Sequence, residues 1–75
     1  MGQELDGAEL GRVISLFLHG QSKEKRVMFV RRYFYLDTIE AIAKGFRCSE
    51  SKVKTRLFRM RKELCRYLEK EGYQL

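Results

Sequence analysis

Apolar positions recur along the chain at helical spacing, in four blocks separated by polar or glycine-bearing breaks. In the first block Leu10, Val13, Ile14, Phe17 and Leu18 share one face, which predicts a helix over Ala8–His19 closed by Gly20. Ser22 is placed to cap a second helix, with Glu24 in its positive first turn. Val27, Phe29, Val30, Tyr33, Phe34 and Leu36 follow, too many for one narrow stripe. Such a helix is expected to run to Leu36 and to lie centrally, packed on several sides, with Tyr33, Phe34 and Tyr35 in the core rather than forming a base-stacking platform, and with Arg31 and Arg32 facing solvent or a phosphate. A third, short helix is predicted over Thr38–Lys44, its apolar side made by Ile39, Ile42 and Ala43. Asp37 suits its N-cap, Glu40 falls where a capping box wants an acid, and Gly45 is the stop. Phe46, Arg47 and Cys48 then form a turn, and Ser49 caps the last helix. Val53, Leu57, Met60, Leu64 and Leu68 follow at steps of four, three, four and four, one stripe on one helix that continues to a stop at Gly72.

These blocks predict an all-α, small four-helix domain over residues 8–71, with a polar leader at 1–7 and a short tail at 72–75. The 75 residues contain no proline, and no strand-like alternation stands out. A chain this short buries a modest core, so function is expected on its surface.

Charge sharpens this picture. Residues 1–37 carry six basic and five acidic side chains, whereas residues 38–75 carry ten and five, so almost all of the net +6 lies in the second half. Between positions 52 and 66 there are seven basic residues and one acid, Glu63. Positive charge gathered on one helix is what a polyphosphate partner requires; a solvated helix face is the plainer reading.

Reactive chemistry is sparse. Cys48 and Cys65 lie seventeen positions apart, and His19 has no companions, so no metal site is predicted. Two reduced thiols are the expected state. The chain shows no nucleophile–histidine pair with an orienting acid, no phosphate-cradling glycine loop and no paired carboxylates. An enzyme, a cofactor and a small-molecule substrate are therefore not expected. No apolar run reaches membrane-spanning length and no signal peptide opens the chain, which predicts a soluble, cytoplasmic protein without a membrane partner.

A short helix, a tight turn and a longer basic amphipathic helix make the sequence form of a helix-turn-helix, here at the C-terminal end and without winged elements. With about 100° per residue, Val53, Leu57, Met60 and Leu64 face the core, and Ser51, Lys54, Thr55, Phe58 and Lys62 centre on the opposite side. The N-terminal members of that outer set would enter the major groove of double-stranded DNA. Glu50 can accept from a cytosine amino group, Ser51 and Thr55 can bond bases or phosphates, and Lys54 can reach guanine acceptors. Phe58 either packs on another helix or touches a thymine methyl or a sugar. Lys52, Arg56 and Arg59 flank this face and suit phosphate oxygens, with Lys62 a further phosphate candidate. Thr38 can bring the N-terminal amides of the short helix to a phosphate.

The same residues resemble region 4 of bacterial RNA polymerase sigma factors, particularly the extracytoplasmic-function-like group. The likeness rests on Arg26-Val-Met-Phe-Val-Arg-Arg-Tyr33, on Asp37-Thr-Ile-Glu-Ala-Ile-Ala43, and above all on the run from Ser49 to Leu64, with its Val53-Lys-Thr-Arg-Leu-Phe-Arg-Met-Arg61 core. It covers nearly all of residues 8–71. The resemblance implies a four-helix domain that reads the minus-35 promoter element and grips the β-subunit flap of RNA polymerase core. It implies promoter contacts from Lys54, Thr55, Phe58 and Arg59, with Glu50 and Ser51 as additions, and an anti-sigma factor as a further partner. Two departures stand out. Arg47 occupies a position where the family often has glycine, two before the cap serine. Region 2, which in the family opens the minus-10 element, is absent, so the chain corresponds to an excised domain or a shortened relative.

Two other readings stay open on the residues alone. One is the DNA-binding domain of another helix-turn-helix regulator of LuxR type, which usually dimerises through its last helix. The other is a helical interaction module whose basic face meets an acidic protein.

Overall fold

The computed structural model describes residues 7–73, which form four helices and no strand: α1 (Gly7–His19), α2 (Lys23–Tyr33), α3 (Ile39–Phe46) and α4 (Glu50–Lys70). The expected leader lies outside the described residues except for Gly7, which opens α1, and of the expected tail Gly72 and Tyr73 are described.

α4 is the spine. Its 21 residues span about 31 Å at 1.5 Å per residue, and α1, α2 and α3 all pack on it. Its aliphatic stripe accounts for this. Val53, Leu57, Met60 and Leu68 are buried, and Leu64 is half-buried against the same cluster. Met28 of α2 and Ile42 of α3 close onto the stripe, both without exposed surface. Phe17 and Leu18 bring α1 to the same cluster, and the Phe17 ring tilts against Tyr67 at 5.7 Å between centroids. Truncating a fully buried aliphatic such as Ile42 to alanine costs about 2–5 kcal/mol, a large share of the total stability of a small domain.

Serine and threonine caps set three helix starts. The Ser22, Thr38 and Ser49 hydroxyls accept from the amides of Lys25, Ala41 and Lys52. Thr38, not Asp37, is therefore the cap of α3. The Asp37 carboxylate is drawn back to α2 instead, accepting from Nε of Arg31 at 2.8 Å. Glu40 moves one place nearer the helix start than a capping box needs and pairs with Lys44 at 3.4 Å, an exposed contact of small worth.

Gly45 is not the stop of α3 either. The helix runs through it to Phe46, and Arg47 caps the end in the left-handed conformation (φ 54°, ψ 46°). The amides of Arg47 and Cys48 bond back to the carbonyls of Lys44 and Ala43, which satisfies the last turn of α3. Gly45 has a packing role: a Cβ there would run into the Arg31 guanidinium.

The expectation for α2 fails at its C-terminal end. The helix stops at Tyr33, and Leu36 takes a positive φ of 59° as the chain reverses toward α3. Phe34, Tyr35 and Leu36 are 60%, 72% and 78% exposed, so the aromatic cluster lies on the surface rather than in the core. Only Met28 and Phe29 of α2 are fully buried. The physical reason is that α4 already occupies the centre, and none of the four helices covers the outer side of the α2 terminus.

Candidate nucleic-acid interface

The site is the outward face of α4. Ser49 starts the helix abruptly, so Glu50 and Ser51 stand in its first turn, beside amides that have no intrahelical acceptor. The inward stripe is anchored by Val53, Leu57 and Met60, which fixes the rotation of the helix and holds the remaining side chains out. Glu50, Ser51, Lys52, Lys54, Thr55, Phe58, Arg59 and Lys62 are all exposed.

Their arrangement has a definite order. Positions seven apart fall within about 20° of each other on an α-helix. Lys52, Arg59 and Arg66 thus form one basic row, and Lys54 and Arg61 form another, on opposite flanks. Between the rows runs a strip containing Ser51, Thr55 and Phe58. From Ser51 to Lys62 the helix carries no acid at all.

Phe58 is 51% exposed, which excludes the reading that buries it beneath another helix. Lys62 holds its ammonium 5.1 Å from the Phe58 ring centroid, a cation–π contact along the strip. Arg56 departs from the expected set: it is half-buried, and its guanidinium donates to Glu24 of α2 at 3.0 Å. Thr38 is exposed at the start of α3, its hydroxyl oxygen engaged as the cap. Both thiols are free: Cys48 is half-buried in the turn and Cys65 is exposed further along α4.

No protein-family model matches this chain, and no curated protein matches it. The site therefore rests on its own geometry.

That geometry adds Arg61 and Arg47 to the residues singled out from the sequence, and it gives a place to Arg32, which the sequence leaves facing solvent or a phosphate. Arg61 is two turns beyond Lys54 on the same row, a signal present in the spacing but masked by the surrounding basic run. Arg32 comes from α2, and only the tertiary fold brings it to this flank of α4. Its Nη1 donates to the Asp37 carbonyl at 3.0 Å, which steers the side chain toward Lys54 and Arg61. Arg47 stands exposed in the turn between the two helices.

Among the described residues no three His, Cys, Asp or Glu side chains gather where they could hold a metal ion. None of the described helices is long and apolar enough to cross a membrane.

Proposed function

We propose that this chain is a promoter-reading domain of the sigma-factor region 4 kind, which binds the minus-35 element of double-stranded promoter DNA in transcription initiation. The observation that carries this reading is the pair of basic rows flanking the strip on α4. A helix with its side chains is about 10–12 Å across and the major groove is about 12 Å wide. A helix seated there meets a phosphate backbone on each side and base edges beneath. Two cationic rows with Ser51, Thr55 and Phe58 between them match that layout. Lys52 and Arg59 serve one backbone, Lys54 and Arg61 the other, and Ser51, Thr55 and Phe58 face the bases, with Glu50 off the strip on the Lys54 flank.

The polymerase contact has a candidate surface as well. A groove of about 380 Å³ runs between α1 and the end of α2, lined by Gly11, Ile14, Leu18, Val30, Phe34 and Tyr35. Its apolar lining suits the β-subunit flap of RNA polymerase core, and an anti-sigma factor would compete for such surfaces. On this reading the protein works in the cytoplasm, without cofactor or catalysis.

Selection of duplexes from a random pool tests the proposal. Enrichment of one short, non-palindromic motif is the expected result, and palindromic half-sites would point to a dimeric regulator instead. Neutralising about five phosphates gives a slope of log affinity against log salt near −4 to −5. Thr55→Ala or Phe58→Ala should change the enriched sequence, whereas Arg59→Ala should weaken all duplexes alike. Lack of salt-dependent duplex binding at low ionic strength would overturn the proposal in favour of an acidic protein partner.

A further inference from the structure

Where α4 passes the end of α2 there is a notch of about 250 Å³, lined by Arg32, Tyr33, Ile39, Lys54, Leu57 and Arg61. Its floor is apolar, with Leu57 buried and Ile39 half-buried. Its rim carries three cations and one phenol from two helices, and no carboxylate is among the lining residues. Arg32 is held there by its bond to the Asp37 carbonyl. Asp37, the acid nearest to Arg32 along the chain, engages its carboxylate with Arg31.

Three like charges around one small concavity repel each other unless an anion sits between them. The low-dielectric floor makes that repulsion, and the attraction for an anion, stronger than on an open surface. Guanidinium forks from two directions match the oxygens of a phosphate group, with the Lys54 ammonium as a third charge and the Tyr33 hydroxyl as a neutral donor.

The geometry points to a single backbone phosphate of bound DNA seated in this notch, held by Arg32 and Arg61 together with Lys54. This assignment rests on the duplex-binding reading above and adds to it a clamp contributed by α2, outside the helix-turn-helix unit. One seated phosphate fixes the rotation of α4 about its own axis in the groove, and so decides which of Ser51, Thr55 and Phe58 meets which base. Arg32 and Arg61 are thus positioning residues for readout rather than readers.

The test uses the whole chain and a duplex carrying its selected sequence, with phosphates replaced one at a time by neutral methylphosphonate. For the wild type, one backbone position should weaken binding more than its neighbours. Arg61→Ala should make the salt slope shallower by about one, so that a fourfold rise in salt costs the variant about three- to fourfold less affinity than it costs the wild type. In that variant, methylphosphonate at the sensitive position should cost less affinity than it costs the wild type. Arg32→Ala should act on the same phosphate, and Arg61→Lys should restore part of the slope. Lys70→Ala, at the far end of α4, should leave the slope unchanged. Thermal melting of each free variant separates lost binding from lost folding. An unchanged slope in Arg61→Ala, or additive effects of that substitution and the methylphosphonate, overturns the notch and leaves the function standing. Lack of salt-dependent binding by the wild type overturns both.

Discussion

Arg56 of α4 donates to Glu24 of α2 at 3.0 Å, across 32 positions of chain. The pair ties the front of the basic helix to the start of α2, and it withdraws one cation from the face proposed to meet a duplex. Glu24 is about half exposed, so the bond contributes at most about 1 kcal/mol. Glu24→Gln should therefore cost under about 1 kcal/mol in denaturant unfolding. It should also free Arg56, raise affinity for all duplexes alike and steepen the salt slope by up to about one. Unchanged affinity in a salt titration would show that Glu24 does not restrain Arg56.

The ends of α3 and α4 both close through a left-handed residue, and they differ in the residue that bears the steric cost. After α4, Gly72 takes φ 90° without a side chain to clash, and the Tyr73 amide bonds back to Leu68. After α3, Arg47 does the same work at φ 54° with a Cβ in place. A left-handed conformation costs a residue with a Cβ about 1–2 kcal/mol, partly offset by the larger chain entropy of glycine when unfolded. Arg47→Gly should stabilise the domain by about 0.5–1 kcal/mol, whereas Arg47→Ala should bring no such gain. Equilibrium denaturation of the two variants checks this, and equal midpoints would remove the steric explanation.

Gly45 and Arg31 are coupled by space rather than by a bond. In an exposed helical position glycine to alanine normally gains about 1 kcal/mol. Here the new methyl group would push the Arg31 guanidinium from its seat and loosen its 2.8 Å bond to Asp37. Gly45→Ala should therefore gain little in the wild-type background and about 1 kcal/mol in an Arg31→Ala background. A double-mutant cycle in urea measures the difference, and additive effects would show that Arg31 moves aside without cost.

At the other end of the molecule the Tyr73 hydroxyl donates to the Glu9 carboxylate at 2.8 Å, closing the chain end onto α1. That hydrogen bond, with desolvation and the negative charge of Glu9, raises the Tyr73 pKa above the ordinary tyrosine value. A pKa raised in the folded state means stability that is fully present below the unfolded value, about 10, and lost as pH rises through the folded one. Wild type should thus exceed Tyr73→Phe in stability at neutral pH, and the gap should close in alkali above about pH 10. Unfolding midpoints across that range, together with tyrosinate absorbance, provide the measurement. No gap at neutral pH would mean that the ring, not the hydroxyl, makes the contact.

Periodicity and cap chemistry carried much of this protein in the sequence alone. The 4-3-4-4 stripe on α4 is local information, since residues on one helix share a face whatever lies opposite. The same holds for the outward set Ser51, Lys54, Thr55 and Phe58, and for the Ser22 and Ser49 caps, whose bonds close within three residues. What the tertiary structure decided is everything that depends on a second element. The stripe of α4 was legible, but not that α4 would take the centre and leave Phe34, Tyr35 and Leu36 at the surface. Asp37 and Thr38 are both good caps, and the choice fell to Thr38 because Arg31 on the preceding helix claims the Asp37 carboxylate. Gly45 looked like a stop and proved a seat for Arg31. Arg56 reached Glu24, and Arg32 came to line one notch with Lys54 and Arg61, through an approach of helices that no spacing along one helix encodes. Hydrophobic burial follows the repeat of a single helix, whereas the pairing of charges follows which helices are brought side by side.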